Sequence, residues 1–325
     1  MKLATMKDGR LIVVSRDLRH AVTASDISVS LLDALHRWPE VEQRLSARYR
    51  SLEYGTASEV FKFEPAQAGA PLPKAPQWLD GSTFENHGRL MEKAFNLPAA
   101  DYSLNPMMYQ GNSDDFVGPA DDIIFPSESD GADCEGEIGV VVDAVPMGCS
   151  RSEALSHVRL LVLINDVSLR SHAAREMKTG FGWIQAKPCT SFAPVAVTPD
   201  ELGNDWRDGR VHLPLRCERN GEWMGYPNGC EMSFGFDQLI SYAAYSRPLS
   251  TGTVIGSGTF SNKDRAVGSV CIAERRAIEM IDTGEVRTPF IRDGERIRLE
   301  SIDVQGNSMF GAIDQRYVIQ PRSRN

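Results

Sequence analysis

Short apolar runs dominate the chain, and helical spacing of apolar residues is confined to a few segments. Runs rich in valine, isoleucine and leucine, each bounded by glycine, proline, asparagine or aspartate, predict strands at residues 136–142, 159–165, 192–197, 211–217, 253–258 and 296–302. Apolar residues at helical spacing predict helices at residues 85–95, 152–157 and 236–245. Because strands and helices do not alternate regularly, the pattern disfavours a doubly wound parallel sheet and favours a mainly β fold with short helices.

The pattern near the amino terminus is different. Two apolar runs around the Asp-Gly pair at residues 8–9 predict a β-hairpin, and residues 26–35 predict a short helix with a polar cap. Pro39 opens a second predicted helix over residues 40–52. Residues 65–76 are rich in proline and alanine, which predicts a linker or an extended ledge.

We therefore divide the chain into a small N-terminal α+β domain with its linker, residues 1–76, and a larger domain, residues 77–325. The hydrophobic fraction of 42% supplies a sizeable core and excludes disorder of the whole chain. The net charge of −9, without a dense lysine or arginine run, excludes a general nucleic-acid binder. No apolar stretch is long enough to span a membrane, and no secretory signal is visible.

The six cysteines form no CxxC pair, so we expect free thiols, mostly buried, in a cytoplasmic protein. A structural zinc site built from these cysteines is not expected.

Two glutamates, Glu135 and Glu137, lie at the start of an apolar strand. Residues i and i+2 of a strand point to the same face, so the two carboxylates should lie close together. Such a pair is unfavourable unless a cation or a proton lies between its members, and hard oxygen ligands suit Mg²⁺, Ca²⁺ or Mn²⁺. The alternative is an exposed acidic strand end.

Further polar residues follow or precede apolar segments. Asp166 ends a buried run, with Arg170 as an alternative structural partner, and Asp80 lies seven residues before His87 near the start of a predicted helix. For His87 the alternative is a capping or surface residue. Lys187 lies among aromatic, proline and hydroxyl residues, which indicates a pocket, although a surface lysine with its stem on an aromatic ring is the alternative. The glycine-rich segment 252–262 lacks the phosphate-loop spacing and is either a tight turn or a backbone site for a carboxylate.

Taken in order, these motifs resemble the fumarylacetoacetate hydrolase family. The resemblance rests on the Asp80 to His87 spacing, on residues 107–113 (MMYQGNS), on the Glu-Gly-Glu strand at 135–137, and on residues 163–170, 187–191 and 256–259. It covers residues 78–315, and the proline-rich N-terminal part is similar to that of the bacterial two-domain members.

The resemblance implies a mixed β-sandwich roll, a homodimer and a divalent-metal site. The implied metal ligands are Asp80, Glu135, Glu137 and Asp166, and the implied cofactor is Mg²⁺, or Ca²⁺ or Mn²⁺. The implied catalytic residues are His87, Lys187 and Glu274, with Glu92 as a second candidate for the carboxylate that orients the histidine. The implied substrate-binding residues are Tyr109, Thr259 and Arg170.

The resemblance also implies an activity, namely hydrolysis of a carbon–carbon bond in a 1,3-diketo or oxo acid such as fumarylacetoacetate, giving fumarate and acetoacetate. Such a reaction belongs to the catabolism of aromatic compounds, including tyrosine. Members of the family also decarboxylate 2-oxo acids, hydrate 2-oxo-dienoates or tautomerise, and fold cannot choose among these reactions. A non-catalytic metal-binding protein is the alternative from another class. Two positions depart from the family pattern, with Ser82 in place of an aromatic residue and Ala173 in place of a glutamine.

Overall fold

The computed structural model describes residues 1–102 and 105–320, and within them twenty strands and seven α-helices follow one another irregularly. The strands of the first half are β1 Lys2–Thr5, β2 Leu11–Val14, β3 His20–Thr23, β4 Phe61–Lys62, β5 Trp78–Ser82, β6 Met107–Gly111, β7 Ile123–Phe125, β8 Ala132–Asp133, β9 Gly136–Val142 and β10 Val158–Asp166. Those of the second half are β11 Ser168–Leu169, β12 Thr190–Phe192, β13 Ala196–Val197, β14 Trp206–Arg207, β15 Arg210–Val211, β16 Leu215–Arg219, β17 Glu222–Gly225, β18 Val254–Gly256, β19 Arg296–Ser301 and β20 Ile313–Ile319. The helices are α1 Leu31–His36, α2 Trp38–Glu53, α3 Glu85–Phe95, α4 Arg151–Ala154, α5 Arg170–Thr179, α6 Phe236–Ala243 and α7 Ile272–Thr283.

Two sheets form the framework. The large sheet has the strand order β4-β3-β2-β1-β13-β10-β9-β18-β5-β6, with β12 also paired to β10. The second sheet has the order β17-β16-β19-β20-β7. Most neighbours are antiparallel, but β18 runs parallel to β5 and β20 runs parallel to β7. A mixed sheet of this kind agrees with the irregular order of elements in the sequence.

The central strands are buried on both faces, which explains their continuous apolar runs. In β10, Leu161 and Leu163 belong to the core between the two sheets. The alternate residues of β10, Leu160, Val162 and Ile164, belong to a second core that also contains the apolar residues of α1 and α2. The side-chain period of two thus assigns each residue of the strand to one of two hydrophobic layers.

The N-terminal segment continues the large sheet. Strand β1 pairs with β13, so that Lys2 lies opposite Val197. The buried ammonium group of Lys2 donates to the backbone carbonyls of Ser308 and Met309 at 3.0 and 2.8 Å, near the other end of the chain. The division of the chain at residue 76 into two domains stays a prediction.

The predicted elements differ from the observed ones in definite places. The first N-terminal helix begins at Leu31 rather than at residue 26, because Ser30 is its N-cap. The predicted strands 192–197 and 211–217 are each broken at a proline, Pro194 or Pro214, because proline cannot donate to a sheet. Helices α5 and α7 were not predicted, although each ends at a left-handed glycine, Gly180 or Gly284, which is a common helix stop signal.

All six cysteines are unpaired, and four of them are buried. In the described part of the chain, no helix combines the length and the apolar character needed to cross a bilayer.

Candidate active site

Three carboxylates that are far apart in the sequence meet on one face of the large sheet. Asp80 lies in β5, Glu137 in β9 and Asp166 at the end of β10. One oxygen atom from each carboxylate lies within 4.8 Å of those of the other two, and all three residues are buried. In the same three strands, Trp78, Val141 and Ile164 lie an even number of positions from the carboxylate residue and belong to the second core, which contains the apolar residues of α1 and α2. Because alternate residues of a strand point to the same face, all three carboxylates point to that face of the sheet.

Glycines at the end of β18 and just after it make this meeting possible. Strand β18 lies between β9 and β5, and a Cβ on Gly256 would lie 2.4 Å from Oδ1 of Asp80 and 2.9 Å from Oε2 of Glu137. The amide of Gly258 donates to the same two oxygens, at 3.1 Å each. Gly258 has a φ of +78°, which favours glycine. Of the two interpretations of this segment, the backbone site for a carboxylate agrees with these contacts, although the bound carboxylates belong to the protein itself.

Glu135, the fourth predicted ligand, lies outside this group of three. Its Oε2 accepts a hydrogen bond from Nζ of Lys187 at 3.0 Å, and its Oε1 lies 2.5 Å from Nη2 of Arg170. Burial alone would raise the pKa of Glu135, but the charges of Lys187 and Arg170 outweigh it and lower this pKa to about 2. Glu135 is therefore an ionised carboxylate that links two basic residues to the cluster, and its place as a metal ligand stays a prediction.

Lys187 lies inside the site, with 9% of its surface exposed. Its Nζ is 2.5 Å from Oδ2 of Asp166 and 5.5 Å from the centre of the Tyr109 ring. The alternative of a surface lysine is therefore wrong. Burial alone would lower the pKa of Lys187, but Asp166 and Glu135 outweigh it and raise this pKa above its ordinary value, so the ammonium is charged.

Two of the three clustered carboxylates have raised pKa values. Burial and the charge of Asp166 raise the pKa of Asp80 to about 8. Burial and the charge of Asp80 raise the pKa of Glu137 well above its ordinary value. Oε1 of Glu137 is also buried without a hydrogen-bond partner among the described residues. A cation would stabilise the ionised form of both groups and satisfy this oxygen.

A charge count indicates which cation fits. When ionised, the three clustered carboxylates carry three negative charges, and Lys187 offsets one of them. Arg170 lies between Glu135 and Asp133 and offsets one of these two charges, while Asp133 is also held by the amides of Ile272 and Ala273. At least two negative charges remain, which favours a divalent over a monovalent cation. Oxygen is the only ligand type in the cluster, and this favours Mg²⁺, Mn²⁺ or Ca²⁺ over softer metals.

We expect the affinity for Mn²⁺ to fall at least about tenfold for each pH unit below 8, because a bound cation must displace the proton that Asp80 holds up to about pH 8, and the raised pKa of Glu137 adds to this effect. Isothermal titration calorimetry at pH 6, 7 and 8, in buffers of different ionisation enthalpy, gives both the affinity and the number of protons released. Asp80→Asn should reduce the proton release by about one. Asp143→Asn, which removes a carboxylate at the far end of β9, should leave the release unchanged. An affinity that does not vary with pH would contradict this expectation.

His87, which is partly exposed, and the buried Glu274 form a pair across two helices. Helix α3 carries His87 and packs against α7, which carries Glu274. Nδ1 of His87 lies 2.9 Å from Oε2 of Glu274, whose side chain is 2% exposed. This contact leaves Nε2 of the imidazole for exchange of a proton with another molecule. The proposed pairing is thus present in the structure, while the catalytic role of both residues stays a prediction.

The alternative prediction, in which Glu92 is the partner of His87, is wrong. Its carboxylate accepts hydrogen bonds from the amide of Ala100 at 2.7 Å and from the hydroxyl of Tyr102 at 2.8 Å. Glu92 lies five residues beyond His87 on the same helix, and this spacing points the two side chains in different directions.

Two predicted substrate-binding residues have polar atoms at the site. The hydroxyl of Tyr109 donates to Oδ2 of Asp166, and its ring packs edge-on against Trp183 at a centroid distance of 6.0 Å. Thr259 is buried, and its Oγ1 has no hydrogen-bond partner among the described residues. A buried hydroxyl without a partner is unfavourable, so this group is available to a bound molecule.

The third predicted substrate-binding residue, Arg170, is held by two carboxylates. Its Nε donates to Oδ2 of Asp133 at 2.9 Å, and its Nη2 faces Glu135 as described above. These partners differ from Asp166, the structural partner considered in the sequence. A direct role of Arg170 in substrate binding stays a prediction.

Polar residues that the sequence interpretation did not single out also support the site. Thr190 donates to Oδ1 of Asp166 at 3.0 Å, and Ser168 donates to Oε1 of Glu135 at 3.1 Å. Thr190 lies three residues after Lys187, and Ser168 lies two residues after Asp166. Their closeness in sequence to predicted site residues is the sequence feature that could have identified them as part of the site.

Two family models match consecutive parts of the chain. The model described as fumarylacetoacetate (FAA) hydrolase C-terminal matches residues 77–316. The model described as fumarylacetoacetase N-terminal domain 2 matches residues 1–74.

Curated proteins of two activities are similar to part of the chain. The 2,4-didehydro-3-deoxy-L-rhamnonate hydrolase of Sphingomonas sp. (strain SKA58) is 35% identical over 182 residues, which cover 55% of this chain and 59% of that protein. A mitochondrial oxaloacetate tautomerase of Rattus norvegicus is 28% identical over 158 residues, covering 48% of each chain. The chain spans about half the length of the curated relatives it matches.

A solved structure is similar over the whole fold. The maleylpyruvate hydrolase of Sphingobium sp. SYK-6, in complex with manganese(II) and pyruvate, has a TM-score of 0.66 at 16% identity. The similarity covers 98% of this chain and 100% of that chain. At this identity the comparison shows a common fold.

Proposed function

The chain belongs to the fumarylacetoacetate hydrolase family, and from that premise we propose that it is a divalent-metal-dependent hydrolase that cleaves a carbon–carbon bond in a 1,3-diketo acid. The observation that carries this proposal is an oxygen-only carboxylate cluster with a buried lysine beside it, and a paired histidine close enough for its charge to act on Glu135. A protein that only stored a metal would need the carboxylates, but neither the lysine nor the histidine–glutamate pair. The combination therefore supports catalysis over the non-catalytic alternative.

The metal would be held by Asp80, Glu137 and Asp166, with Glu135 as a proposed fourth ligand. A bound divalent cation would polarise the oxygens of a chelating diketo acid. Mn²⁺ is present in the related maleylpyruvate hydrolase, so it is a suitable ion for the experiments on this chain together with Mg²⁺.

The chain's own residues would move the proton. Nδ1 of His87 faces Glu274, so Nε2 accepts a proton from water, and the resulting hydroxide adds to the carbonyl carbon. Glu274 stabilises the imidazolium that forms. When the carbon–carbon bond breaks, the electron pair remains on the departing fragment as an enolate, and the ammonium of Lys187 stabilises its negative charge. The enolate carbon then takes the proton from His87, which restores the neutral imidazole and releases a carboxylic acid and an oxo acid.

The test is product analysis on a panel of substrates. Purified protein with Mg²⁺ or Mn²⁺ is incubated with fumarylacetoacetate, acylpyruvates such as acetylpyruvate, oxaloacetate and 2-oxo-dienoates, and the products are identified by mass. Hydrolysis of fumarylacetoacetate to fumarate and acetoacetate, or of acetylpyruvate to acetate and pyruvate, supports the proposal. The absence of turnover on the whole panel would contradict it.

Tautomerisation of oxaloacetate is a second candidate function, because a curated tautomerase is among the relatives. Both reactions would pass through an enolate at the same site, but tautomerisation consumes no water. Oxaloacetate that changes between its keto and enol forms without loss or gain of mass, while the diketo acids stay intact, would favour this alternative.

A homodimer, expected from the family, is tested separately by light scattering.

Lys187→Met is expected to lower kcat by roughly 10²-fold, as for loss of one group that stabilises a developing oxyanion, and to change KM much less. The physical reason is that the ammonium meets more negative charge in the transition state than in the bound substrate. Lys187→Arg should not restore kcat fully, because a planar guanidinium cannot occupy the position of a compact ammonium between Glu135 and Asp166. Steady-state kinetics of both variants, with circular dichroism to verify folding, measure this. A wild-type kcat in Lys187→Met would leave the lysine with a structural role only.

A further inference from the structure

Asp133 is a buried acidic residue that no step of the proposed reaction uses. It lies in β8 and is fully buried. Its Oδ1 accepts a hydrogen bond from the amide of Ile272 at 2.7 Å, and its Oδ2 accepts one from the amide of Ala273 at 2.9 Å. These are the first two residues of α7, so a carboxylate from another element binds the start of that helix.

This contact fixes α7 at its amino-terminal end. The first amides of a helix have no acceptor within the helix, and that end carries a partial positive charge. Asp133 satisfies two of these amides and supplies the favourable negative charge. Glu274, the partner of His87, is the next residue after Ala273, so the position of its side chain depends directly on where α7 begins.

The carboxylate of Asp133 is also connected, through Arg170, to the residues around the carboxylate cluster. Nε of Arg170 donates to Oδ2 of Asp133 at 2.9 Å, and Nη2 of Arg170 lies 2.5 Å from Glu135. Glu135 accepts from Lys187, and Lys187 contacts the clustered carboxylate Asp166. A continuous series of ionic contacts, in which Arg170 is partly exposed, therefore runs from Asp133 at the start of α7 to the carboxylate cluster.

We propose that Asp133 is a positioning residue, which fixes the His87–Glu274 pair relative to the carboxylate cluster by holding the start of α7 against Arg170. The inference rests on the proposed function, in which that pair moves the proton. Asparagine at this position would have nearly the same shape, but its NH₂ group would face a donor in either orientation. At the place of Oδ1 it would face the amide of Ile272, and at the place of Oδ2 it would face the amide of Ala273 and Nε of Arg170. The start of α7 would then shift away from Arg170.

The test compares Asp133→Asn, Glu274→Gln and the double variant, with acetylpyruvate and Mn²⁺. We expect Asp133→Asn to lower kcat by about 10- to 100-fold, the range for residues that support a site from outside it, and to change KM and the calorimetric Mn²⁺ affinity by less than about threefold. If Asp133 acts through Glu274, adding Asp133→Asn to the Glu274→Gln variant should lower kcat by less than about threefold further. A purely structural role would instead give the product of the two single effects.

Asp143→Asn is the matched control, because Asp143 also binds an arginine, Arg159, but lies at the other end of β9. It should leave kcat within about twofold of wild type, as expected for independent sites. If Asp133→Asn does not fold, Asp133→Glu serves in its place, since it keeps the charge and moves the carboxylate by one methylene.

Hydrogen exchange gives a readout that needs no activity. The amides of residues 272–275 should exchange faster in Asp133→Asn than in wild type and Asp143→Asn. Unchanged exchange, or fully multiplicative effects on kcat, would overturn the inference. A His87→Ala variant as active as wild type would instead overturn the proposed role of the histidine, whatever the result for Asp133, so the two failures can be told apart.

Discussion

Replacing His87 with alanine is expected to lower kcat by roughly 10² to 10⁴, the usual range for losing a positioned acid–base group. The affinity for Mn²⁺ should remain nearly that of wild type, because His87 is bound to Glu274 and is not one of the three clustered ligands. Steady-state kinetics on the best substrate of the panel and calorimetric titration with Mn²⁺ measure the two quantities on the same preparation.

Glu274→Gln provides the companion variant. Glutamine retains an oxygen that can accept from Nδ1 of His87, but it lacks the charge that stabilises an imidazolium. Its kcat should therefore fall between those of wild type and His87→Ala. Near wild-type turnover in His87→Ala would mean that another group activates water, whereas near wild-type turnover in Glu274→Gln alone would mean that the charge of the glutamate is unimportant.

Glu137→Ala should have its main effect on the metal. Loss of one of three clustered carboxylates is expected to weaken Mn²⁺ binding by at least about 10²-fold, beyond the 10- to 100-fold seen when an outer supporting residue is lost. Without metal, the free energy of unfolding of Glu137→Ala should fall by less than is usual when a buried carboxylate with satisfied hydrogen bonds is removed. The deletion removes repulsion from Asp80 and a buried oxygen without a hydrogen-bond partner.

Calorimetry and thermal unfolding, with and without Mn²⁺, test both statements. Glu300→Ala is a suitable control, because Glu300 also lies on a strand and pairs with Arg298, away from the cluster. It should leave the Mn²⁺ affinity unchanged. Tight Mn²⁺ binding by Glu137→Ala would place the metal at a site other than the carboxylate cluster.

The overall fold could be predicted, since the family resemblance implied a mixed β-sandwich roll and the model matches confirm the family. Local sequence signals were sufficient for elements whose formation depends mainly on their own residues. Helix α3 has the predicted bounds, and α2 buries Val41, Leu45 and Tyr49 at the predicted spacing. Elements that depend on distant contacts were missed. Helix α7 is one example, because the carboxylate that binds its first amides comes from Asp133, far earlier in the chain.

The site shows the same limit. The order of the motifs and the family resemblance predicted that Asp80, Glu137 and Asp166 would lie together, and the structure brings one oxygen atom of each within 4.8 Å of the others. Their role as metal ligands stays a prediction. The assignment of Glu135 could not be settled, because the side chains that bind it, Lys187 and Arg170, lie on other segments. Likewise, the choice between Glu274 and Glu92 depended on the packing of α7 against α3, which sequence spacing does not encode.

The pairing of β1 with β13 has a consequence for how the chain acquires its structure. During synthesis β1 is complete long before β13, and the carbonyls of Ser308 and Met309 that bind Lys2 come later still. Contacts between such distant positions close large loops and slow folding. Until β13 arrives, one edge of β1 has its backbone groups unpaired, and an unpaired edge can join the strand of another molecule. Protection of the N-terminal segment until β13 is made, for example by a chaperone, would therefore favour correct folding of this chain.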